Sequence, residues 1–144
     1  MQAAVGVAQL EKAQEIIEKK IKIGGIYRNY LKNLYGIKLV EENSYSINTY
    51  WLFSLIIERE TGWDKNKIQQ KLQDNGIETR NLFYPLHIMP PYKKYVHEKD
   101  RFPISDYLSG NGLSLPSSVL INEDDIKDIA KLIADTYQMN TIIS

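Results

Sequence analysis

Tyr50-Trp51-Leu52-Phe53-Ser54-Leu55-Ile56-Ile57 is nearly continuously apolar and rich in aromatic and β-branched residues. Such side chains suit a pleated surface, and a short apolar run ended by a turn signal reads as a strand buried on both faces. Trp51 and Phe53 are accordingly read as core, not as a platform for stacking bases. Thr61-Gly62 breaks the run. Asp64 then has the character of an N-cap for a helix over Lys65 to Asp74, with Ile68 and Leu72 one turn apart on its inner face and Asn75-Gly76 as its stop.

Further along, Ile77 to Phe83 is expected to be a second strand. Leu82 to Tyr95 holds three prolines and reads as a shaped loop. A short helix is expected over Ile104 to Ser109, a turn at Gly110-Asn111-Gly112, and a short strand at Leu113 to Leu115, stopped by Pro116. Asn122 caps a last helix whose first turn carries Glu123, Asp124 and Asp125, where the positive end of the helix dipole favours carboxylates. Ile126, Ile129, Ile133 and Tyr137 draw its buried stripe. Upstream, Ala3, Val7, Leu10, Ala13, Ile17, Ile21, Gly24, Tyr27, Leu31 and Leu34 step by three or four, so the first 34 residues read as one long helix ending before Gly36. Gly24-Gly25 is its weak point, since each glycine costs roughly 1 kcal/mol against alanine in a helix. The expected fold class is α+β: a small, largely antiparallel sheet covered by helices and preceded by a long N-terminal helix. The expected division is a connecting helix over 1–36 and a small domain over 37–144.

Bulk composition narrows the function. The 144 residues carry 18 Lys+Arg and 18 Asp+Glu, and this zero formal charge argues against a general nucleic-acid binder. Without cysteine there is no disulfide framework, thiolate metal site or Cys nucleophile, which suits a reducing cytoplasm. The first ten residues lack the basic start of a signal peptide, and no apolar run approaches the length of a membrane span. His87 and His97 do not have metal-ligand spacing.

Four stretches carry a resemblance: Gln2-Ala3-Ala4-Val5-Gly6-Val7-Ala8-Gln9-Leu10-Glu11, Gly76-Ile77-Glu78-Thr79-Arg80, Tyr84-Pro85-Leu86-His87-Ile88-Met89-Pro90-Pro91-Tyr92, and Leu113-Ser114-Leu115-Pro116. Phe102-Pro103 adds to them. In this order and at this spacing they resemble the C-terminal portion of the DegT/DnrJ/EryC1/StrS sugar aminotransferases, enzymes of fold type I that use pyridoxal phosphate (PLP). The resemblance implies a small domain closing over an active site whose PLP pocket and Schiff-base lysine lie in a preceding large domain. It implies amino transfer from glutamate to a keto-sugar nucleotide in surface polysaccharide or amino-sugar biosynthesis. Dimers, a cytoplasmic location and no membrane or nucleic-acid partner go with it. The chain is expected to lack the PLP and lysine domain, to contain no catalytic residue and no metal ligand, to bind no PLP alone, and to need the large domain as partner. The alternative is a non-catalytic interaction or sugar-nucleotide-binding module derived from that family. One departure is Lys19-Lys20-Ile21-Lys22, where the family often has Lys-Arg.

The candidate substrate-binding residues are His87, Arg80 and Tyr92. His87 stands in the proline-bounded loop, where a rigid backbone presents a polar group; it hydrogen-bonds either a ligand hydroxyl or phosphate, or nearby backbone. Arg80 clamps a carboxylate or phosphate bidentately, or pairs with Glu58 or Glu78. Tyr92 donates to a substrate oxygen or packs beneath the loop. Every lysine is expected to be solvated, with no burial to lower its pKa.

Overall fold

The structure, a computed structural model, describes residues 1–58 and 61–142, the last six of these as backbone only. Helices α1 (Gln2–Leu10) and α2 (Ala13–Leu31) lead into strand β1 (Ile37–Leu39). Strand β2 (Phe53–Ile57), helix α3 (Lys65–Asp74) and the two-residue strand β3 (Arg80–Asn81) follow. The proline-rich loop contains 3-10 turns at Leu86–Ile88 and Lys93–Tyr95. Helix α4 (Pro103–Asn111), strand β4 (Gly112–Leu115) and helix α5 (Glu123–Ile142) complete the chain.

The strands form one antiparallel sheet in the order β1-β2-β4-β3. Successive side chains of a strand point to opposite faces. Phe53, Leu55 and Ile57 of β2 are therefore on one face, with Leu113 and Leu115 of β4 in register beside them. That face is covered by Ile23, Tyr27 and Leu31 of α2, Ile68 and Leu72 of α3, and Ile126, Ile129, Ala130 and Ile133 of α5, which together make the core. Tyr137, the last member expected in the α5 stripe, lies outside the described side chains. On the opposite face Ser54 and Ser114 pair across the strands, their hydroxyls 2.9 Å apart. Helix α4 packs against β2 and β4.

Caps behave as the residue types require. The Asp64 carboxylate accepts the Asn66 N–H at 2.8 Å, and the Asn122 side chain accepts the Asp125 N–H at 2.8 Å. Gly76 ends α3 at φ +74°.

Other expectations are corrected. The helical stretch is interrupted at Glu11-Lys12, not at Gly24-Gly25. Helix α2 runs on through the glycines because the ring of Tyr50 lies directly over Gly24, where a Cβ would collide with it. The apolar stripe is buried only in its second half. Tyr27 and Leu31 are inaccessible, whereas α1 has no buried residue, and Val5, Val7 and Leu10 are exposed. Strand β2 starts at Phe53 because Tyr50, at φ +47°, turns the chain. Trp51 is not core; it is 71% exposed. Only Arg80–Asn81 of the expected second strand is paired. The Gly110-Asn111-Gly112 turn is absent, since α4 continues to Asn111 and Gly112 opens β4. Strand β1 did not figure in the sequence reading.

Two tyrosine hydroxyls join the segments around the core. Tyr27 stacks on Phe53 with ring centroids 4.6 Å apart and donates to the Pro116 carbonyl at 2.7 Å. The Tyr50 hydroxyl donates to the Glu42 carboxylate, which Arg28 also approaches. Burial, followed by the nearby Asp125 charge, raises the Tyr27 hydroxyl well above the ordinary tyrosine range. Burial, then the bond to Glu42, pushes Tyr50 up to about 12. Both groups keep their protons in the fold at a pH where the unfolded chain releases them. Their contribution is therefore complete below about pH 10 and is lost as pH rises through the folded values. The urea midpoint is expected to fall steadily above about pH 10, and the double variant Tyr27→Phe/Tyr50→Phe to show a shallower fall. An equal slope in parent and variant counts against this assignment.

Candidate functional site

The three candidate residues occupy two separate places. Arg80 sits in β3, in register with Ser114 of β4. Its side chain is exposed and makes no ion pair with Glu58 or Glu78, or with any other described residue. It lines a cleft of about 1120 Å³ between the end of the sheet and α5, shared with Lys20, Trp51, Ser117 and Asp125. His87 and Tyr92 do not line this cleft.

Lys20 was expected to be solvated. Instead its ammonium donates to the Trp51 carbonyl at 2.9 Å, and to the Ser117 carbonyl and hydroxyl at 2.5 and 3.1 Å. Three N–H groups meet three acceptors, so the side chain fastens α2 to the segments before β2 and after β4. Burial lowers its pKa from the usual lysine range. The sequence signal was the lysine cluster where the family often has Lys-Arg; the partners are 31 and 97 residues away along the chain.

His87 is held by α4. Its Nε2 lies 3.0 Å from Asp106 Oδ1, and its ring stacks on Phe102 with centroids 4.5 Å apart and planes 18° from parallel. The partner is thus a carboxylate, not the backbone. Pro103 starts α4, Phe102 precedes it, and Asp106 falls in the first turn. That first turn places the stacking ring and the carboxylate against one side of the loop. Phe102-Pro103 was legible as a matching pair; Asp106 was not singled out, because nothing local shows that it meets a residue 19 positions earlier. Tyr92 lies within the loop, just before its second 3-10 turn, and is 44% exposed.

Among the described residues no cluster of three or more His, Cys, Asp or Glu is arranged to hold a metal ion. Among them, too, no helix is long and apolar enough to cross a membrane.

The sequence profile of the DegT/DnrJ/EryC1/StrS aminotransferase family matches residues 1–134. This chain belongs to that family. Its members are sugar aminotransferases, and their cofactor is PLP. GDP-perosamine synthase of Vibrio cholerae is 36% identical over 135 residues, covering 94% of this chain and 36% of the relative. Among solved structures, DesI in the presence of its TDP-sugar product is 25% identical, with a TM-score of 0.84 over 98% of this chain and 36% of DesI. The fold also matches Escherichia coli GDP-4-keto-6-deoxy-D-mannose-3-dehydratase with bound hydrated PLP, at a TM-score of 0.80 and 21% identity, over 90% of this chain and 34% of that one. The chain therefore spans about a third of the length of these aminotransferase-family relatives.

Proposed function

We propose that this chain supplies the small domain of a PLP-dependent aminotransferase that moves an amino group from glutamate to a keto-sugar nucleotide in polysaccharide or amino-sugar biosynthesis. The 36% identity to GDP-perosamine synthase across 94% of the chain carries this reading. Residues 1–36 serve as the connecting helix and 37–144 as the small domain, with His87, Arg80 and Tyr92 on the substrate side. The exposed Val5, Val7 and Leu10 of α1 suit burial against a large domain or a second copy in a cytoplasmic homo-oligomer.

In this reading Lys20 is not the lysine that holds PLP. Burial lowers the pKa of Lys20, but its ammonium already has three protein acceptors. In this proposal the cofactor is held by a large domain of the kind found in longer family members.

The test joins this chain to such a PLP-binding portion and assays glutamate with GDP- and dTDP-linked keto-sugars. An aminated sugar nucleotide from a sedimenting dimer or larger species is the expected result. Failure with every sugar despite bound PLP removes the reading. In the active assembly His87→Ala is expected to lower kcat/KM about 10- to 100-fold, the loss of one buried ligand hydrogen bond. Stability should fall by only about 1 kcal/mol, for the lost Asp106 and Phe102 contacts. Unchanged kcat/KM removes His87 from the substrate side.

A further inference from the structure

We infer that Asp106 is a positioning residue: it fixes His87 as the Nε2–H tautomer, so that His87 meets a ligand hydroxyl through Nδ1 as an acceptor. The ligand part rests on the proposal that His87 faces substrate.

The inference starts from the two ring nitrogens. In a neutral imidazole one nitrogen donates and the other accepts, and the bond made by the first decides which. Nε2 lies 3.0 Å from Asp106 Oδ1. An ionised carboxylate only accepts, so the hydrogen of the neutral ring is drawn to Nε2 and Nδ1 becomes the acceptor. No described residue hydrogen-bonds Nδ1, and the His87 side chain is 16% exposed. The ring also lies nearly parallel to Phe102, 4.5 Å centre to centre, which opposes rotation of the ring out of the plane in which Nε2 meets Asp106. Phe102 and Asp106 both belong to the start of α4, so one rigid element sets both the plane and the polarity of the ring.

The consequence is chemical. A neutral ring of this polarity pairs with a donor. A sugar hydroxyl qualifies. A phosphate or carboxylate oxygen, itself an acceptor, does not. Asp106 thus decides which part of a sugar nucleotide His87 reads.

His87 and His97 are the two histidines of the chain, and this makes a spectroscopic test direct. Long-range ¹H–¹⁵N spectra of the 144-residue chain at about pH 8.5, above the ordinary histidine range, separate the tautomers. The expected spectrum has His87 wholly as Nε2–H, its ring proton visible because the carboxylate slows exchange, beside a tautomer-averaged His97. Asp106→Ala should convert His87 to the averaged form and abolish the ring-proton signal. Asp106 is 56% exposed on a helix and alanine favours helices, so the variant is expected to fold. An Nδ1–H form, a cationic ring at that pH, or a spectrum indifferent to Asp106→Ala overturns the inference. In the assembled enzyme Asp106→Ala should raise KM for the keto-sugar nucleotide about 2- to 10-fold, with the glutamate half-reaction unchanged. A fixed tautomer with no effect of Asp106→Ala on that KM overturns the ligand part. If instead the tautomer is not fixed while His87→Ala still lowers kcat/KM, the proposed function stands and this inference falls.

Discussion

Gly36→Ala is expected to lower stability by roughly 2–6 kcal/mol, which combines a backbone term with an overpacking term of about 1–3 kcal/mol each. Gly36 joins α2 to β1 at φ +84°, in the left-handed region where a Cβ is strained. A Cβ there would also overlap the indole of Trp63 and the hydroxyl of Thr61. Neither can withdraw cheaply. Trp63 is 4% exposed within the core, and the Thr61 hydroxyl donates to the Glu58 carbonyl at 2.5 Å. The Gly36 carbonyl in turn accepts the Glu58 N–H at 2.9 Å, so a shift at Gly36 disturbs the β1–β2 pairing that begins at Ile37 and Ile57. A domain of this size has only about 5–15 kcal/mol in total, so the melting midpoint should drop by on the order of 10–20 °C. Gly25→Ala is the control: it lies in α2, and a Cβ there meets nothing within 4 Å. It should leave stability unchanged or raise it by up to about 1 kcal/mol. Chemical denaturation of both variants checks the pair. A Gly36→Ala protein within about 1 kcal/mol of the parent would falsify the account of this turn.

Treating the chain alone with PLP and then borohydride is expected to give scattered, substoichiometric labelling of exposed lysines and no glutamate-dependent half-reaction. An aldimine needs a neutral amine, and a lowered pKa normally makes a lysine the better nucleophile. By that criterion Lys20 is a candidate. Its geometry acts the other way. Reaction would cost the bonds to Trp51 and Ser117 that fasten α2 across the chain, and would set a ring at a half-buried position. Lys20 should therefore be among the least labelled lysines. Peptide mapping by mass spectrometry decides the matter. One stoichiometric adduct, at Lys20 or elsewhere, with conversion to the pyridoxamine form on adding glutamate, overturns the expectation.

The family and most of the element order were legible from residues alone. The motifs at Gln2 to Glu11, Gly76 to Arg80, Tyr84 to Tyr92 and Leu113 to Pro116 point to the family whose profile matches residues 1–134. Helix α3 was legible to the residue because its signals are local: an Asp cap, two apolar residues a turn apart, and Asn-Gly at the end. The α5 cap was legible for the same reason. Strand β1 escaped because three residues make no periodicity, and β3 was overdrawn because pairing, not propensity, ends a strand at a sheet edge.

Sequence by itself thus determined which residues can build the core and which short segments begin and end by their own chemistry, since capping and alternation act over a few positions. Only the tertiary structure decided what meets across long separations. It put Tyr50 over Gly24 and so turned Trp51 outward, although the two lie together in an apolar run. It drew Lys20 into three acceptors far along the chain. It set His87 against Asp106 and Phe102 while placing Arg80 in a different cleft. The polarity of a histidine, the pKa of a lysine and the side to which a tryptophan turns depend on neighbours brought by packing, and local sequence does not specify those neighbours.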